Sequence, residues 1–101
     1  MIEIHWDDGV ITHHPHQTLR AFCPCAVCQG HTGRIVYSEA ADALPTEALA
    51  LAELAISGSY ALRLTWGDGH ATGIYTFAYL RVLGPLWELP DEDVRTATFG
   101  R

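Results

Sequence analysis

Apolar and polar residues alternate at the start of the chain, where residues 2–6 read Ile-Glu-Ile-His-Trp. A period of two is typical of a strand with one buried face. The turn-forming sequence Asp-Asp-Gly occupies residues 7–9, and residues 10–12 resume a β-prone run. Since Asp-Gly between two such runs is a strong hairpin signal, the pattern predicts an N-terminal β-hairpin.

A second hairpin is predicted in the other half of the chain. Residues 60–66 place a large apolar side chain at every second position, so these side chains share one face of a strand. Asp68-Gly69 then provides a turn, and a return strand is expected over residues 71–75. A short helix is predicted from residue 76 or 77 to about residue 82.

The segments outside the two hairpins carry weaker patterns. Thr18 is a candidate N-cap for a helical turn that continues to residue 22, and residues 34–37 are strand-like. Residues 47–56 are rich in Ala, Leu and Glu, which favour helix, but their near-continuous apolar character also suits a buried strand. The tail after Pro90 is acidic and then polar, and we expect it to be loose at its end.

The two predicted hairpins share a longer motif. Trp-x-Asp-Gly at residues 6–9 precedes Leu-Arg at residues 19–20, and the same motif at residues 66–69 precedes Leu-Arg at residues 80–81. A duplicated unit would explain this, but Asp-Gly turns are common and coincidence is the alternative. The arginines at the two equivalent positions are candidates to pair with the turn carboxylates or with a partner.

Composition and charge limit the class of protein. A chain of 101 residues has the size of one domain, so we predict a single domain over residues 1–101. Apolar residues make up 49% and charged residues 18%, as in a globular fold. The net charge of −6 leaves no basic surface for nucleic acid, and no apolar run reaches the roughly 18 residues that cross a membrane. The start of the chain lacks the features of a signal peptide, which places the protein in the cytoplasm.

The three cysteines of the chain, Cys23, Cys25 and Cys28, lie within one short segment. Secreted disulfide frameworks spread an even number of cysteines, whereas clustered cysteines in the cytoplasm are more often metal ligands or redox groups. The spacing C-x-C-x-x-C brings three thiolates together, and zinc completes a tetrahedral site with one imidazole nitrogen. The alternatives are burial as small apolar residues, thiol redox chemistry and iron–sulfur ligation.

Two of the six histidines are candidates for the fourth ligand. His31 follows Cys28 after two intervening residues, which is a common spacing for two ligands of one metal. His70 follows the predicted Asp68-Gly69 turn, where a metal would join the cysteine loop to the second hairpin. The residues alone leave both histidines open.

The order of several motifs resembles that of the gamma-butyrobetaine hydroxylase-like N-terminal domain family. These motifs are Leu19-Arg20-x-x-Cys23-Pro24-Cys25-Ala26-x-Cys28, Gly58-x-Tyr60-Ala61-Leu62, Trp66-x-Asp68-Gly69-His70-x-x-Gly73-Ile74-Tyr75 and Leu80-Arg81. The resemblance implies that the three cysteines and the histidine of Asp-Gly-His bind zinc, which favours His70 over His31. It also implies an α+β fold with a small, mostly antiparallel sheet, which agrees with two hairpins and short helices stapled by a Cys3His metal site.

The resemblance also frames the function. In full-length hydroxylases this domain precedes a catalytic domain that binds Fe(II) and 2-oxoglutarate, and similar domains are fused to P-loop iron–sulfur carrier proteins. We expect no enzyme here, because the sequence offers neither the catalytic domain nor a Gly-x-x-x-x-Gly-Lys-Ser/Thr phosphate loop. The hypothesis is a non-catalytic zinc-binding accessory or interaction module, with a protein partner or a second copy and no small-molecule substrate. The alternative is an iron-handling factor that holds iron or an iron–sulfur cluster, in cluster assembly or as an accessory to an oxygenase.

Overall fold

The computed structural model describes residues 1–29 and 33–100. Within these ranges the chain forms short helices and antiparallel strand pairs, which confirms the predicted α+β class. The helices are α1 (His16–Ala21), α2 (Ala26–Gln29), α3 (Phe77–Leu83) and α4 (Asp91–Thr96), and the strands are β1 (Ile2–His5), β2 (Ile11–His14), β3 (Arg34–Val36), β4 (Leu51–Ser57), β5 (Ala61–Trp66), β6 (Ile74–Thr76) and β7 (Thr98–Gly100). Three stretches of 3-10 helix cover Glu39–Ala43, Thr46–Leu49 and Gly84–Glu88.

The N-terminal hairpin is present as predicted. Strands β1 and β2 pair antiparallel, with Ile2 opposite His14. The backbone N–H of Trp6 donates to the carbonyl of Val10 at 2.8 Å and closes the turn. Gly9 has a φ of +86°, a conformation that a residue without a Cβ adopts at little cost. The Asp-Gly signal therefore identified the turn for the right physical reason.

The central sheet has the order β4-β5-β6, with both neighbouring pairs antiparallel. Leu64 and Trp66 on β5 are buried in the core, as the alternation predicts. The return strand was predicted from residue 71 but begins only at Ile74. Residues 71–73 leave the ladder because they pass beside the cysteine loop, where Gly73 lies close to a cysteine side chain.

The segment that the sequence left ambiguous divides into two parts. Its start belongs to the 3-10 helix Thr46–Leu49, and its remainder forms β4, which pairs with β5 from Leu51 to Ser57. Ala and Leu favour helix in isolation, but pairing with β5 outweighs a propensity difference of only about 1 kcal/mol. Tertiary context thus decides what local preference could not.

Helix α1 begins earlier than predicted. The N-cap is Pro15, not Thr18, and its carbonyl accepts the first helical hydrogen bond from Leu19 N–H at 3.0 Å. A proline suits this boundary because its fixed φ, here −60°, is compatible with entry into a helix and its missing N–H is not needed there. The predicted second helix is confirmed, with Thr76 as its N-cap and its hydroxyl accepting from Tyr79 N–H at 3.0 Å.

The expectation of a loose tail after Pro90 is wrong. Residues 91–96 form α4, whose first turn is acidic and whose last turn carries Arg95, a charge arrangement that complements the helix dipole. Strand β7 then pairs antiparallel with β3, with Phe99 opposite Ile35. The tail is ordered because Val94, Ala97 and Phe99 pack in or against the core.

The core connects the first helix, the central sheet and the third helix. Its largest fully buried side chains are those of Trp66, Tyr75, Phe22, Leu19, Leu64, Leu80, Leu83, His14 and Cys23. No helix in residues 1–29 or 33–100 is both long and apolar enough to cross a membrane.

Candidate metal centre

The structure brings Cys23, Cys25, Cys28 and His70 together. Their ligand atoms all lie within 4.8 Å of one another. The Nε2 atom of His70 is 3.4 Å from the Sγ of Cys23, 3.7 Å from that of Cys25 and 3.5 Å from that of Cys28. Three sulfurs therefore surround a single imidazole nitrogen at nearly equal distances.

These distances fit a shared metal better than hydrogen bonding. An imidazole nitrogen has either one proton or one lone pair, so it cannot make three hydrogen bonds to three sulfurs. In a tetrahedral site with zinc–sulfur and zinc–nitrogen bonds of about 2.3 and 2.0 Å, each sulfur lies about 3.5 Å from the nitrogen. The observed contacts of 3.4 to 3.7 Å match that geometry, and three thiols with one imidazole form a donor set that zinc favours.

Two tyrosine hydroxyls hold the backbone that leads into the cysteine loop. The hydroxyl of Tyr75 donates to the carbonyl of Leu19 at 2.6 Å, and that of Tyr79 donates to the carbonyl of Phe22 at 2.5 Å. The last carbonyls of a helix have no partner within the helix, so these bonds satisfy groups that burial would otherwise leave unpaired. They fix the end of α1 directly before Cys23.

The far side of the loop is held by Gln29, which is buried. Its side-chain amide donates to the carbonyls of Cys23 and Val36, at 3.1 and 3.0 Å, and its Oε1 accepts from the N–H of Val36 at 3.0 Å. The glutamine therefore ties both ends of the cysteine loop to β3. Sequence reasoning missed this residue because a glutamine gives no signal that distinguishes a buried link from a surface side chain.

His70 is positioned by the turn of the second hairpin. Gly69 has a φ of +89°, and the N–H of His70 donates to Asp68 Oδ1 at 3.1 Å. Arg20 on α1 pairs with both oxygens of the same carboxylate, at 2.8 and 3.0 Å. This ion pair, with help from the His70 N–H, lowers the pKa of Asp68 to about 2, so the carboxylate stays charged and keeps the turn against α1.

A glycine makes the approach between hairpin and cysteine loop possible. A Cβ placed on Gly73 would lie 2.6 Å from the Sγ of Cys23, far inside van der Waals contact. Gly73 belongs to the motif that the sequence analysis singled out, yet only the structure shows why no side chain fits there. The backbone must pass this close for His70 to reach the three sulfurs.

The thiols differ in how readily they lose their protons. Burial raises the pKa of Cys23 and of Cys28. Burial also acts to raise the pKa of Cys25, but the hydrogen bond with Thr72 and others within the loop outweigh it and lower the pKa to about 7. Cys25 is therefore the first thiol to become a thiolate, and a metal would displace the remaining protons as it binds.

The imidazole is suited to act as a neutral ligand. Burial lowers the pKa of His70 below its ordinary value, and the positive charge of Arg20 adds to this effect. A neutral ring offers the lone pair that a metal needs, so the ligand form is already the stable form at neutral pH. Arg20 thus favours the neutral ring, while the carboxylate of Asp68 acts in the opposite direction.

The site is covered on one side only. Cys23 is fully buried, whereas Cys25, Cys28 and His70 keep partial solvent contact. A cleft of about 260 Å³ opens beside Cys28 and His70 and is bounded by Leu44 among other residues. Solutes can therefore approach two of the four ligands.

Three further residues were candidates for the site or for a role beside it. His31, the rival for the fourth ligand, is outside the described residues. Arg81 pairs with Asp8 at 2.8 Å and stacks over the ring of Trp6, with 5.3 Å between the guanidinium carbon and the ring centroid. Both arginines of the repeated motif therefore pair with turn carboxylates, which was one of the two options that the sequence left open.

The comparisons with known proteins agree with this arrangement. A family model described as gamma-butyrobetaine hydroxylase-like, N-terminal, matches residues 1–81. The chain belongs to this family. The gamma-butyrobetaine hydroxylase-like N-terminal match ends at the last residues of α3, while the fold described above continues through α4 and β7.

One solved structure is similar to this family member over most of its length. It is a protein of unknown function of the DUF971 family from Acidithiobacillus ferrooxidans, 32% identical in sequence. The similarity covers 81% of this chain and 76% of that chain, with a TM-score of 0.55. No curated protein matches the chain.

Proposed function

We propose that this protein is a non-catalytic zinc-binding accessory module that works in the cytoplasm by binding another protein. The observation that carries the proposal is the convergence of three sulfurs on the Nε2 atom of His70 at 3.4 to 3.7 Å. Zinc bound there would supply a structural cross-link, as four-ligand Cys3His sites do in other proteins.

The donor set supports a structural role over a catalytic one. Catalytic zinc sites keep one position for water or substrate, whereas three cysteines and one histidine fill a tetrahedral shell. The cross-link would join residues that are 42 to 47 positions apart in the chain, so it would remove much freedom from the unfolded state. Membership of the family also supports an accessory role, since the matching model describes an N-terminal domain.

A partner protein is proposed because of the surface beside the metal centre. Val27 lies between two ligands and is 83% exposed, next to the cleft that Cys28, His70 and Leu44 help to line. An apolar side chain at the rim of a cleft is a suitable contact for a partner's side chain. The metal would hold this surface in one shape.

Elemental analysis tests the proposal. Protein purified without added metal should contain about one zinc per chain. The Cys25→Ser variant should lose the metal and melt at a lower temperature, because the cross-link is lost. Val27→Ser, in the same loop but not a ligand, serves as the matched control and should keep its zinc. The proposal would be contradicted by a metal-free, fully folded protein whose Cys25→Ser variant has the same melting temperature as the wild type.

The open cleft favours iron handling as a second candidate. A metal bound beside the cleft at Cys28 and His70 would be accessible to another protein that delivers or receives it. A fully enclosed structural zinc does not exchange readily in this way. Under this second proposal the protein would carry iron or an iron–sulfur cluster for cluster assembly, or would act as an accessory protein of an oxygenase. Anaerobic purification followed by visible absorption separates the two, because zinc is colourless and an iron–sulfur cluster absorbs.

A further inference from the structure

The turns of the two hairpins have the same local structure. In the first turn the N–H of Trp6 donates to the carbonyl of Val10 at 2.8 Å. In the second turn the N–H of Trp66 donates to the carbonyl of His70 at 2.9 Å. Each tryptophan ring also meets a second ring edge-on and lies under the guanidinium of an arginine. The two units can therefore be compared position by position, with Trp6 equivalent to Trp66.

The comparison pairs the residues that surround the two tryptophans. Counted from the shared Trp-x-Asp-Gly and Leu-Arg motifs, the equivalent pairs are Phe77 and His16, Arg81 and Arg20, and Asp7 and Gly67. The first member of each pair belongs to the first unit and the second member to the second unit.

A segment of the chain itself covers the second unit. Three successive backbone carbonyls, those of residues 48–50, accept hydrogen bonds from Arg20 at 3.4 Å, His16 Nδ1 at 2.9 Å and the N–H of Gly67 at 2.7 Å. The segment then continues as β4, which begins opposite Trp66 and pairs antiparallel with β5. All three equivalent positions of the second unit are thus in contact with one covering segment.

The first unit has no such cover within residues 1–29 and 33–100. A cleft of about 540 Å³ lies there, lined by residues 4–8 together with Phe77 and Arg81. Strand β1 pairs only with β2 in this part of the chain, whereas β5 is paired on both edges. Arg20 is buried, but the side chain of Arg81 is 39% exposed. The cleft and the free edge of β1 therefore mark the places of a covering segment and a third strand.

We propose that a segment of a partner protein fills this cleft and continues as a strand on the free edge of β1. It would take the place that residues 48–57 take on the second hairpin, and would run antiparallel to β1. Backbone hydrogen bonds along the edge would provide affinity, as in other complexes formed by strand addition. Side chains that face Trp6 and Phe77 would be apolar, and a carbonyl of the segment would accept from Arg81.

The residue at position 7 determines the charge of the partner segment. A Cβ on Gly67 would overlap the carbonyl oxygen of Glu47, so the second unit has no room for a side chain there. Asp7 carries a carboxylate at the equivalent position, and it forms no ion pair among residues 1–29 and 33–100. Arg81 is already paired with Asp8. The partner segment is therefore expected to pass Asp7 at a greater distance and to place a lysine or arginine beside it.

The proposal rests on the proposed function only for the binding of another protein. None of the four metal ligands lines the cleft. The zinc experiments therefore test the metal centre, whereas binding of a peptide to the first hairpin tests the cleft. Either can fail without the other.

Titration of the intact, zinc-loaded, isotope-labelled chain with a synthetic peptide tests the proposal. The peptide has the sequence of residues 47–57 with Glu47→Lys and Glu53→Lys, so it combines the pattern of β4 with a basic charge. Saturable shifts of the amide NMR signals are expected at residues 3–8 and at Arg81. The same peptide with both glutamates retained should bind about tenfold more weakly, because its carboxylates meet that of Asp7.

Two further changes separate the charge from the strand pairing. Asp7→Lys in the chain should weaken binding of the basic peptide by about tenfold. Glu92→Lys is the matched control, because it makes the same change of charge at an exposed position of α4, and it should leave the affinity unchanged. Ala55→Pro in the basic peptide should abolish binding, because proline interrupts a strand and cannot donate to the ladder.

The proposal is overturned if the basic peptide produces no saturable shifts, if the shifts lie on β4 and β5 instead of β1, or if Asp7→Lys and Glu92→Lys bind it equally well. Undiminished binding of the Ala55→Pro peptide would overturn the strand pairing. A chain that sediments without peptide at twice its 11.1 kDa, with the signals of residues 3–8 moving on dilution, would identify a second copy as the occupant and overturn the partner protein.

Discussion

Arg20 reaches from the first helix to the turn of the second hairpin, where it donates to both carboxylate oxygens of Asp68 at 2.8 and 3.0 Å. The equivalent arginine, Arg81, pairs with Asp8 in the turn of the first hairpin. Each half of the repeated motif therefore holds the turn of the other half. The two pairs differ in burial, because Arg20 is 8% exposed whereas Arg81 is on the surface.

This difference predicts unequal effects of the same substitution. Asp68→Asn keeps the turn but removes the charge that faces a buried guanidinium, so we expect a loss of about 1–3 kcal/mol in the free energy of unfolding. Asp8→Asn removes an exposed ion pair, which solvent screens, and should cost clearly less than Asp68→Asn. Urea denaturation of both variants measures the difference. Equal losses would contradict the role assigned to the buried pair.

Gly73 predicts a specific effect on metal binding. In Gly73→Ala the new methyl group would stand 2.6 Å from the Sγ of Cys23, so the sulfur or the backbone has to move. Zinc affinity should fall by about 10-fold to 100-fold, the range typical of changes that disturb ligand orientation. Gly33→Ala is the control, because a Cβ at Gly33 meets nothing within 4 Å. Competition with a zinc chelator measures the zinc affinity of both variants. An unchanged affinity of Gly73→Ala would show that the cysteine loop moves aside at no cost to metal binding.

The buried His14 predicts acid sensitivity. Burial lowers its pKa to about 4, with a smaller effect from the neighbouring charge of His13, and the Thr12 hydroxyl contacts its Nε2 at 2.8 Å. An unfolded His14 binds its proton near pH 6.5, so the unfolded state gains protons first as the pH falls. The stability contributed by neutral His14 is present above pH 6.5 and is lost between pH 6.5 and 4, by up to about 3 kcal/mol.

The dependence of the free energy of unfolding on pH can be measured from pH 7 to pH 4. A chelator in the buffer prevents interference from metal release, and the slope of this dependence checks the prediction. His14→Gln should flatten it, since glutamine does not titrate. His5→Gln, which replaces a histidine whose side chain is 67% exposed, is measured alongside it for comparison. A slope that survives in His14→Gln would assign the acid sensitivity to other groups.

The choice of the fourth ligand is tested by two histidine substitutions. His70→Ala removes the nitrogen that the three sulfurs surround, so zinc should be lost or bound far more weakly. His31→Ala removes the candidate that local spacing favoured, and the zinc content should stay at about one per chain. Elemental analysis of the two purified variants gives the answer. Retention of zinc in His70→Ala together with its loss in His31→Ala would reverse the assignment.

Much of the fold could be predicted because local signals and tertiary contacts agree. Asp-Gly turns and alternating apolar residues identified both hairpins, and Thr76 marked the start of α3. The prediction failed where long-range pairing decides the structure. Strand β7 forms because it pairs with β3, which is distant in the sequence. No local property of residues 98–100 predicts that pairing.

The candidate site shows the same division. The spacing of the cysteines nominated three ligands, the resemblance to the family favoured His70 over His31 as the fourth, and the structure brings these four residues together. The residues that hold them could not be identified from the sequence. The side chains of Gln29 and Tyr79 donate hydrogen bonds to backbone carbonyls. Every residue has a backbone carbonyl, so the sequence gives no indication of which one is the partner.

The long separation between the cysteines and His70 has a consequence for how the protein is made. Synthesis proceeds at about 5–20 residues per second, so the separation of 42 positions between Cys28 and His70 delays the last ligand by about 2–8 seconds. During that interval three thiols are available to cellular metal without their imidazole partner. A nascent chain can thus capture metal loosely through its cysteines, and only the arrival of the second hairpin converts that early complex into the finished site.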